Sequence, residues 1–228
     1  QADIDEVVAS FAQAAADAKA IGFDAIEVHG AHGYLVDQFF WQGTNQRSDK
    51  YGGSLENRAL FAVEIIQAIR AVVGADFPII FRFSQWKQQD YNAKLCQSPE
   101  ELSTFLSLLS NAGVDIFHAS TRRFWIAEFE GSDLNLAGWT KKLTNKPVIT
   151  VGSVGLDSDF TGEGNTDLGG TSNPTSIEGL LTRLNNDEFD LVAIGRALLV
   201  DPEWVNKIEH NKTDEIAPFN KDALMKLS

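Results

Sequence analysis

The chain is organised around one short stretch, Glu27-Val28-His29-Gly30-Ala31-His32-Gly33-Tyr34. The apolar run at residues 23–28 predicts a buried strand, and two imidazoles and a phenol follow it within six residues. Such groups bind or move protons near neutral pH. In α/β barrels and open α/β sheets, ligands bind at the carboxyl ends of the strands. We therefore expect His29, His32 and Tyr34 to belong to a site. The alternative is that one imidazole only packs and the phenol lies on the surface.

Composition restricts the classes of protein to which the chain can belong. Its 228 residues suffice for one large α/β domain or two small ones, and 43% of them are hydrophobic, as in ordinary globular proteins. The net charge of −13 argues against nucleic acid or an anionic membrane as a partner. Cys96 is the only cysteine, which excludes an intrachain disulfide and any cluster bound by several thiolates. We predict no metal site.

The sequence also bears on location. No run approaches the roughly 20 apolar residues of a membrane span, and no signal peptide is visible. We therefore expect no membrane partner and a cytoplasmic location. The chain begins with Gln1 rather than Met, so we expect it to be a processed or cut piece of a longer protein.

Helices and strands alternate along the chain, and we expect a single domain over residues 1–228. Helical spacing and capping residues predict helices at 3–20, 54–73, 98–113, 134–143 and 176–184, with a further short helix starting at 201–204. Apolar runs predict strands at 23–28, 78–83, 114–118, 148–151 and 191–194. A Gly-, Thr-, Asn- and Asp-rich segment at 157–175 predicts a long surface loop, to which we assign no role.

This alternation predicts an α/β fold with a parallel sheet covered by helices. Five consecutive strand–helix units also fit part of an eight-stranded (β/α) TIM barrel, which typically takes about 250 residues. The chain has too few strands to close such a barrel by itself.

Two glycine-bearing strand exits predict a phosphate site. Gly152-Ser153 and Gly195-Arg196 follow the last two strands, where backbone N–H groups and an arginine can surround an anion. The alternative is that these glycines only permit tight turns. Arg82 lies within an apolar strand, and a buried guanidinium there needs an acceptor. A cofactor oxygen or ring nitrogen would serve, and so would a neighbouring carboxylate.

Several motifs together resemble the Old Yellow Enzyme family of FMN-dependent ene-reductases. They are residues 28–35 (VHGAHGYL), residues 45–58, which end in YGGSLENR, the strand ending at Arg82, and Gly195-Arg196-Ala197. The match runs from Asp3 to about Phe219. The resemblance implies a (β/α)8 barrel with FMN at the carboxyl-end mouth. NADPH or NADH reduces the flavin, which passes hydride to an electron-poor alkene such as an α,β-unsaturated carbonyl or nitro compound.

The resemblance also implies a role for each matching residue. His29 and His32 match the pair that hydrogen-bonds the carbonyl or nitro oxygen of the substrate. Tyr34 matches the proton donor to the α-carbon, and Arg82 matches the residue beside the pyrimidine edge of the flavin. The residues that match the cradle of the FMN phosphate are Gly152, Ser153, Gly195 and Arg196.

The chain departs from the family pattern at its amino-terminal side. The first three βα units of the family have no counterpart ahead of Gln1, so the chain resembles strands four to eight of the barrel. Such a partial barrel has two open edges, to be covered by another copy in a homo-oligomer, by a missing N-terminal segment or by aggregation. We therefore expect this polypeptide alone to bind FMN weakly or not at all. A single cysteine argues against the branch of the family that carries an iron–sulfur module.

Two other functions stay open at this point. The polypeptide could be an inactive half-barrel fragment that binds nothing tightly. It could also be a non-redox phosphate-binding barrel enzyme, such as an isomerase or aldolase. That function predicts a catalytic Lys or a pair of carboxylates at the strand ends, and neither stands out in the sequence.

Overall fold

Five parallel strands form the central sheet. The computed structural model describes residues 1–160 and 170–225. Within them the strands pair in chain order, each parallel to its neighbours. The strands are β1 (Ile26–His32), β2 (Ile79–Lys87), β3 (Ile116–Ser120), β4 (Val148–Val151) and β5 (Leu191–Ala193). Because parallel neighbours need a crossover connection, helical segments lie between successive strands.

Helices fill these crossovers and follow the last strand. The α-helices are α1 (Ala2–Ala20), α2 (Leu35–Phe40), α3 (Leu55–Val73), α4 (Pro99–Ala112), α5 (Leu136–Thr144), α6 (Glu178–Asn185), α7 (Arg196–Val200) and α8 (Trp204–Glu209). Two 3-10 helices, Thr213–Glu215 and Lys221–Leu224, lie near the carboxyl end. Neighbours α1, α3, α4 and α5 pack side by side. The sequence predicted the longer helices but not α2 and α7, which are too short to show helical periodicity.

Capping residues set the ends of the two crossover helices α3 and α4, as the sequence predicted. Ser54 and Ser98 each accept, through their hydroxyl oxygen, the backbone N–H of the residue three positions later, at 3.3 Å. Gly74 and Gly113 end these helices with φ of +80° and +123°, a region that residues with a side chain rarely adopt.

The predicted ends of the first two strands were wrong. β1 continues to His32 and β2 to Lys87, four residues beyond each predicted end. His29 and His32 therefore lie on β1 and not after it. The cause is backbone pairing, since His29 lies opposite Arg82 and His32 opposite Lys87 whatever the polarity of their side chains.

An irregularity separates these two paired positions. Gly30 lies opposite Phe83 and His32 opposite Lys87, so that Ala31 alone faces residues 84–86 of β2. Extra residues on one strand bend it and redirect its side chains, a device often found beside active sites. Trp86, in the bulged part of β2, lines the cavity at the carboxyl ends of the strands.

Alternate strand positions face the helices and form the core. Phe81 and Phe83 of β2 are fully buried there with Phe117 of β3. Gly30 packs directly against the Phe81 ring, because a Cβ atom at Gly30 would lie only 2.4 Å from Cζ of Phe81. The opposite face of the sheet, called the inner face below, carries Glu27, His29, Arg82 and His118 at the intervening positions.

Both edges of the sheet are open within the described residues, since β1 pairs only with β2 and β5 only with β4. The predicted loop at 157–175 lies partly outside the described residues, which exclude 161–169. Its flanks are held by backbone bonds from Asp157 N–H to Asn173 O at 3.0 Å and from Phe219 N–H to Ser172 O at 2.9 Å. No helix in residues 1–160 and 170–225 has the length and apolarity that crossing a membrane requires.

The close contact of Gly30 with Phe81 yields a stability prediction. We expect Gly30→Ala to lower the free energy of unfolding by about 1–3 kcal/mol, because the added methyl group overpacks a filled core. Gly179, in α6, is the matched control, since a Cβ atom there meets nothing within 4 Å. Gly179→Ala should leave the stability equal or raise it by up to about 1 kcal/mol. Urea unfolding measures both, and equal effects of the two substitutions would contradict the packing argument.

Candidate active site

A cavity of about 310 Å³ lies at the carboxyl ends of the strands. Every strand contributes to its lining, through His32, Arg82, Ser120, Val151 and Ala193, and β2 adds Trp86. Four of these residues, His32, Ser120, Val151 and Ala193, are the last residue of their strand, as expected of a ligand site in a parallel α/β protein.

Six of the eight predicted site residues line this one cavity. They are His32, Arg82, Gly152, Ser153, Gly195 and Arg196. The other two, His29 and Tyr34, lie beside the cavity, where the His29 ring contacts both His32 and Tyr34. The His29 ring centroid is 5.2 Å from that of His32 and 5.4 Å from that of Tyr34. The predicted residues therefore come together from four separate strands and the turns that follow them.

The left-handed backbone at the end of β1 brings the two imidazoles and the phenol together. His32 has a φ of +64° and Gly33 a φ of +79°, which turns the chain sharply after the strand. Tyr34 follows as the residue that precedes α2, and its side chain is 52% exposed. The phenol therefore stays accessible from solvent while the His32 ring lies inside.

His32 is enclosed by two residues that the sequence did not single out. Its Nε2 atom lies 2.7 Å from the Ser120 hydroxyl oxygen, and the Trp86 ring stacks on the imidazole at a centroid distance of 4.4 Å. Burial, with the nearby positive charge of Arg82, lowers the pKa of His32 to about 3. Burial and Arg82 also lower the pKa of His29. Both rings are therefore neutral at physiological pH, and each has one N–H to donate.

Arg82 has a buried donor without an acceptor. Its Nη2 group donates to the Ser120 hydroxyl at 3.4 Å, but its Nε atom is buried with no hydrogen-bond partner among the described residues. A buried unpaired donor is costly. Because Arg82 lines the cavity, an acceptor on a bound ligand would satisfy it.

The glycines that follow β4 and β5, Gly152 and Gly195, differ in the reason why a glycine is present. A Cβ atom at Gly152 would lie 2.6 Å from Thr121 Oγ1, and the φ of +145° also disfavours a side chain, so packing and turn geometry explain this glycine. At Gly195 a Cβ atom would meet nothing within 4 Å, and φ is −104°. Crowding therefore does not explain Gly195, and the space beside it belongs to the cavity.

Arg196 joins the two exits. Its Nη2 group donates to Ser153 Oγ at 3.0 Å and to Ser158 O at 2.8 Å, and its Nη1 group donates to Ser172 Oγ at 3.2 Å. The Arg196 guanidinium and the Ser153 hydroxyl thus meet at one end of the cavity. The Arg82 guanidinium, whose Nε has no hydrogen-bond partner among the described residues, lies in the cavity wall. This donor set suits a ligand that carries a phosphate and a ring with hydrogen-bond acceptors.

Sequence reasoning missed Ser120 and Trp86. Ser120 is the last residue of β3, so the rule that pointed to the other strand ends could have found it. Trp86 lies in the unpredicted extension of β2. A strand-end lysine, expected of a non-redox barrel enzyme, is present as Lys87, but it is fully buried against Asp37 and does not line the cavity.

The fold and the cavity define a part of an α/β barrel with its site at the strand ends, and comparisons with known proteins agree. The family model described as the NADH:flavin oxidoreductase / NADH oxidase family matches residues 1–171. The chain belongs to this family, whose cofactor is FMN.

Relatives and solved structures agree with this family. The chain is 37% identical over 222 residues to an NADH oxidase of Thermoanaerobacter brockii, covering 94% of this chain and 30% of that protein. It is 35% identical over 222 residues to a putative 12-oxophytodienoate reductase 3 of Oryza sativa subsp. japonica, covering 96% and 50%. A structure of morphinone reductase in complex with tetrahydroNAD matches with a TM-score of 0.71 at 24% identity, covering 92% and 50%.

The structural match shows the fold, which is part of an eight-stranded (β/α) barrel. The chain spans about half or less of the length of these relatives. The weak FMN binding that we expect of this polypeptide alone stays a prediction.

The enclosed position of His32 yields a prediction about pH. We expect its ring to stay neutral between about pH 5 and pH 8. An unfolded chain has a histidine pKa of about 6.5, so it takes up the proton first as the pH falls. The folded state therefore loses stability between about pH 6.5 and pH 3.

NMR titration of the histidine signals measures the pKa of His32. Trp86→Ala uncovers the imidazole and should raise the His32 pKa toward its ordinary value, whereas Trp125→Ala, which removes another partly exposed aromatic ring, should not. Titration of His32 near pH 6.5 in the unmodified protein would rule out the enclosed, neutral ring.

Proposed function

We propose that the protein to which this chain belongs is an FMN-dependent ene-reductase. It would reduce activated alkenes, such as α,β-unsaturated carbonyl or nitro compounds, with NADH or NADPH. The observation that carries this proposal is the group of His29, His32 and Tyr34 at the end of β1, beside a cavity lined by three arginines. Family membership supports it. A cytoplasmic location stays a prediction.

The residues present fit the cofactor. Arg196 and Ser153 would hold the phosphate of FMN, with Gly195 leaving room for it, and the unsatisfied Nε of Arg82 would donate to the flavin ring. When bound, FMN supplies the hydride for the reduction. The positive charge of Arg82 near that ring favours a ring that carries negative charge.

His29 and His32 would bind the oxygen of the substrate. As neutral imidazoles, each offers one N–H to a carbonyl or nitro oxygen on which negative charge develops. Donors fixed in advance stabilise such charge more than water does, and one donor in an oxyanion hole contributes about 3–4 kcal/mol. The contacts of Ser120 and Trp86 hold the His32 ring in one orientation without adding a charge.

Tyr34 would donate the proton to the α-carbon. Its ring lies against His29, so a substrate oxygen held by the imidazoles places the alkene near the phenol. Phenols retain their proton at neutral pH, which makes them suitable donors to a carbanion-like centre. The chain thus supplies both the binding of the oxygen and the proton.

The imidazole pair yields a prediction on ligand binding. In the FMN-loaded enzyme, we expect His29→Ala or His32→Ala to weaken the binding of phenols, whose oxygen would accept from this pair. Loss of a hydrogen bond to a charged oxygen costs about 1.5–3 kcal/mol, which corresponds to a loss of affinity of about tenfold or more. Titration of the long-wavelength charge-transfer band measures it, with His210→Ala, on the exposed end of α8, as control. Unchanged affinity in both variants would exclude the proposed role.

Tyr34 yields a kinetic prediction. We expect Tyr34→Phe to slow the oxidation of the reduced flavin by an enone while leaving its reduction by the nicotinamide nearly unchanged, because only the first half-reaction needs a proton donor. Stopped-flow spectroscopy separates the two. Tyr91→Phe, which removes another hydroxyl at the cavity wall, is the matched control and should affect neither. If Tyr34→Phe slowed both half-reactions equally, a packing defect would explain it better.

A further inference from the structure

A buried ion pair lies behind the end of β1, outside the cavity. Lys87 Nζ, at the end of β2, donates to Asp37 Oδ1, in the first turn of α2, at 2.6 Å. Both side chains are fully buried. Neither residue lines the cavity. The pair therefore does not touch a ligand in that cavity.

Stability alone does not account for this pair. Removing two charges from water is costly, and replacing a buried ion pair by apolar residues of similar volume is often neutral or stabilising. The other contacts of the two side chains indicate a second role.

The second oxygen of Asp37 binds the turn after β1. Asp37 Oδ2 accepts the backbone N–H of Gly33 at 2.7 Å. Lys87 also donates to Ser84 O at 3.2 Å, within the bulged part of β2, and its own backbone lies opposite His32 in the strand register. One carboxylate thus ties the end of β2 to the residue between His32 and Tyr34.

This turn needs external anchors. The φ of +64° at His32 is unfavourable for a residue with a side chain, so the local sequence does not favour it by itself. Two side chains accept the backbone N–H groups there, Ser84 Oγ from His32 at 2.9 Å and Asp37 from Gly33, while the carbonyl of Gly33 accepts from Gln38 Nε2 at 2.8 Å. Without the Asp37 acceptor, the N–H of Gly33 would be buried and unpaired, and the turn would relax.

We propose that Asp37 and Lys87 are positioning residues that fix the His32–Gly33–Tyr34 turn, so that the imidazole and the phenol face one substrate. This rests on the proposed function. Asp37 is the anchor, through its bond to Gly33, and Lys87 orients the carboxylate and favours its ionised form against the effect of burial.

Two double variants test this role because they differ in a single side chain. Asp37→Leu with Lys87→Met removes both charges and the acceptor for Gly33. Asp37→Asn with Lys87→Met removes both charges but keeps an oxygen acceptor of the same shape. We expect both to fold with thermal midpoints close to that of the unmodified protein, as circular dichroism will show.

The readouts are hydrogen exchange at the Gly33 amide and phenol affinity of the FMN-loaded enzyme. In the Leu–Met variant, we expect Gly33 to exchange at least tenfold faster and phenol affinity to fall at least tenfold. The Asn–Met variant should retain both within about threefold. Unmodified behaviour of the Leu–Met variant would overturn the proposal, and so would equal losses in both variants, or a tenfold loss in a folded Asn–Met variant.

The amino end of β2 offers a matched control. Asp115 there pairs with Arg70 and accepts the backbone N–H of Ile79 at 2.8 Å, so a more exposed ion pair also holds a backbone N–H at the opposite end of the strand. Arg70→Met with Asp115→Leu should leave Gly33 exchange and phenol affinity unchanged. If the unmodified enzyme bound no phenol, the proposed function would fail, while the exchange measurement would still decide whether Asp37 anchors the turn.

Discussion

Parallel pairing is the constraint on which the rest of the structure depends. Because every strand runs in the same direction, the five carboxyl ends lie at the same end of the sheet. The chain returns from one strand to the next through a helical segment. Side chains separated by more than 150 residues in the chain, such as His32 and Arg196, therefore line the same cavity. The helices bury one face of the sheet. The inner face and the carboxyl ends of the strands are therefore free to carry polar groups.

Some polar groups on the inner face of the sheet have no hydrogen-bond partner among the described residues. Glu27 and His118 pair at 2.8 Å, yet the other ring nitrogen of His118 and the Nε of Arg82 are buried without partners among the described residues. A sheet face that served only as packing surface would be apolar. The incomplete satisfaction of these groups near the cavity accords with a ligand that supplies acceptors, and it sets this face apart from the hydrocarbon face of Phe81 and Phe117.

The sequence predicted what depends on local pattern and missed what depends on register. Caps at Ser54 and Ser98 and the apolar strands follow from residue type and spacing, so their elements were predicted closely. The length of β2 depends on its pairing with β1, which no local pattern reveals. For that reason Trp86 escaped notice although it stacks on the His32 ring. Lys87, a residue type usually exposed, gave no sign that it would be fully buried.

The bulge between β1 and β2 affects how the site can vary. Three residues of β2, 84–86, face Ala31 alone, and the two additional residues provide both the hydroxyl that binds His32 N–H and the indole that covers the imidazole. Deleting two residues at this point would restore regular pairing and remove that cover, without altering any of the imidazoles, the phenol or the arginines. The length of β2 at this position can therefore change the shape of the pocket while all the site residues stay the same. In a pairwise alignment, a gap at this position would indicate such a change, which a comparison of the aligned residues alone does not reveal.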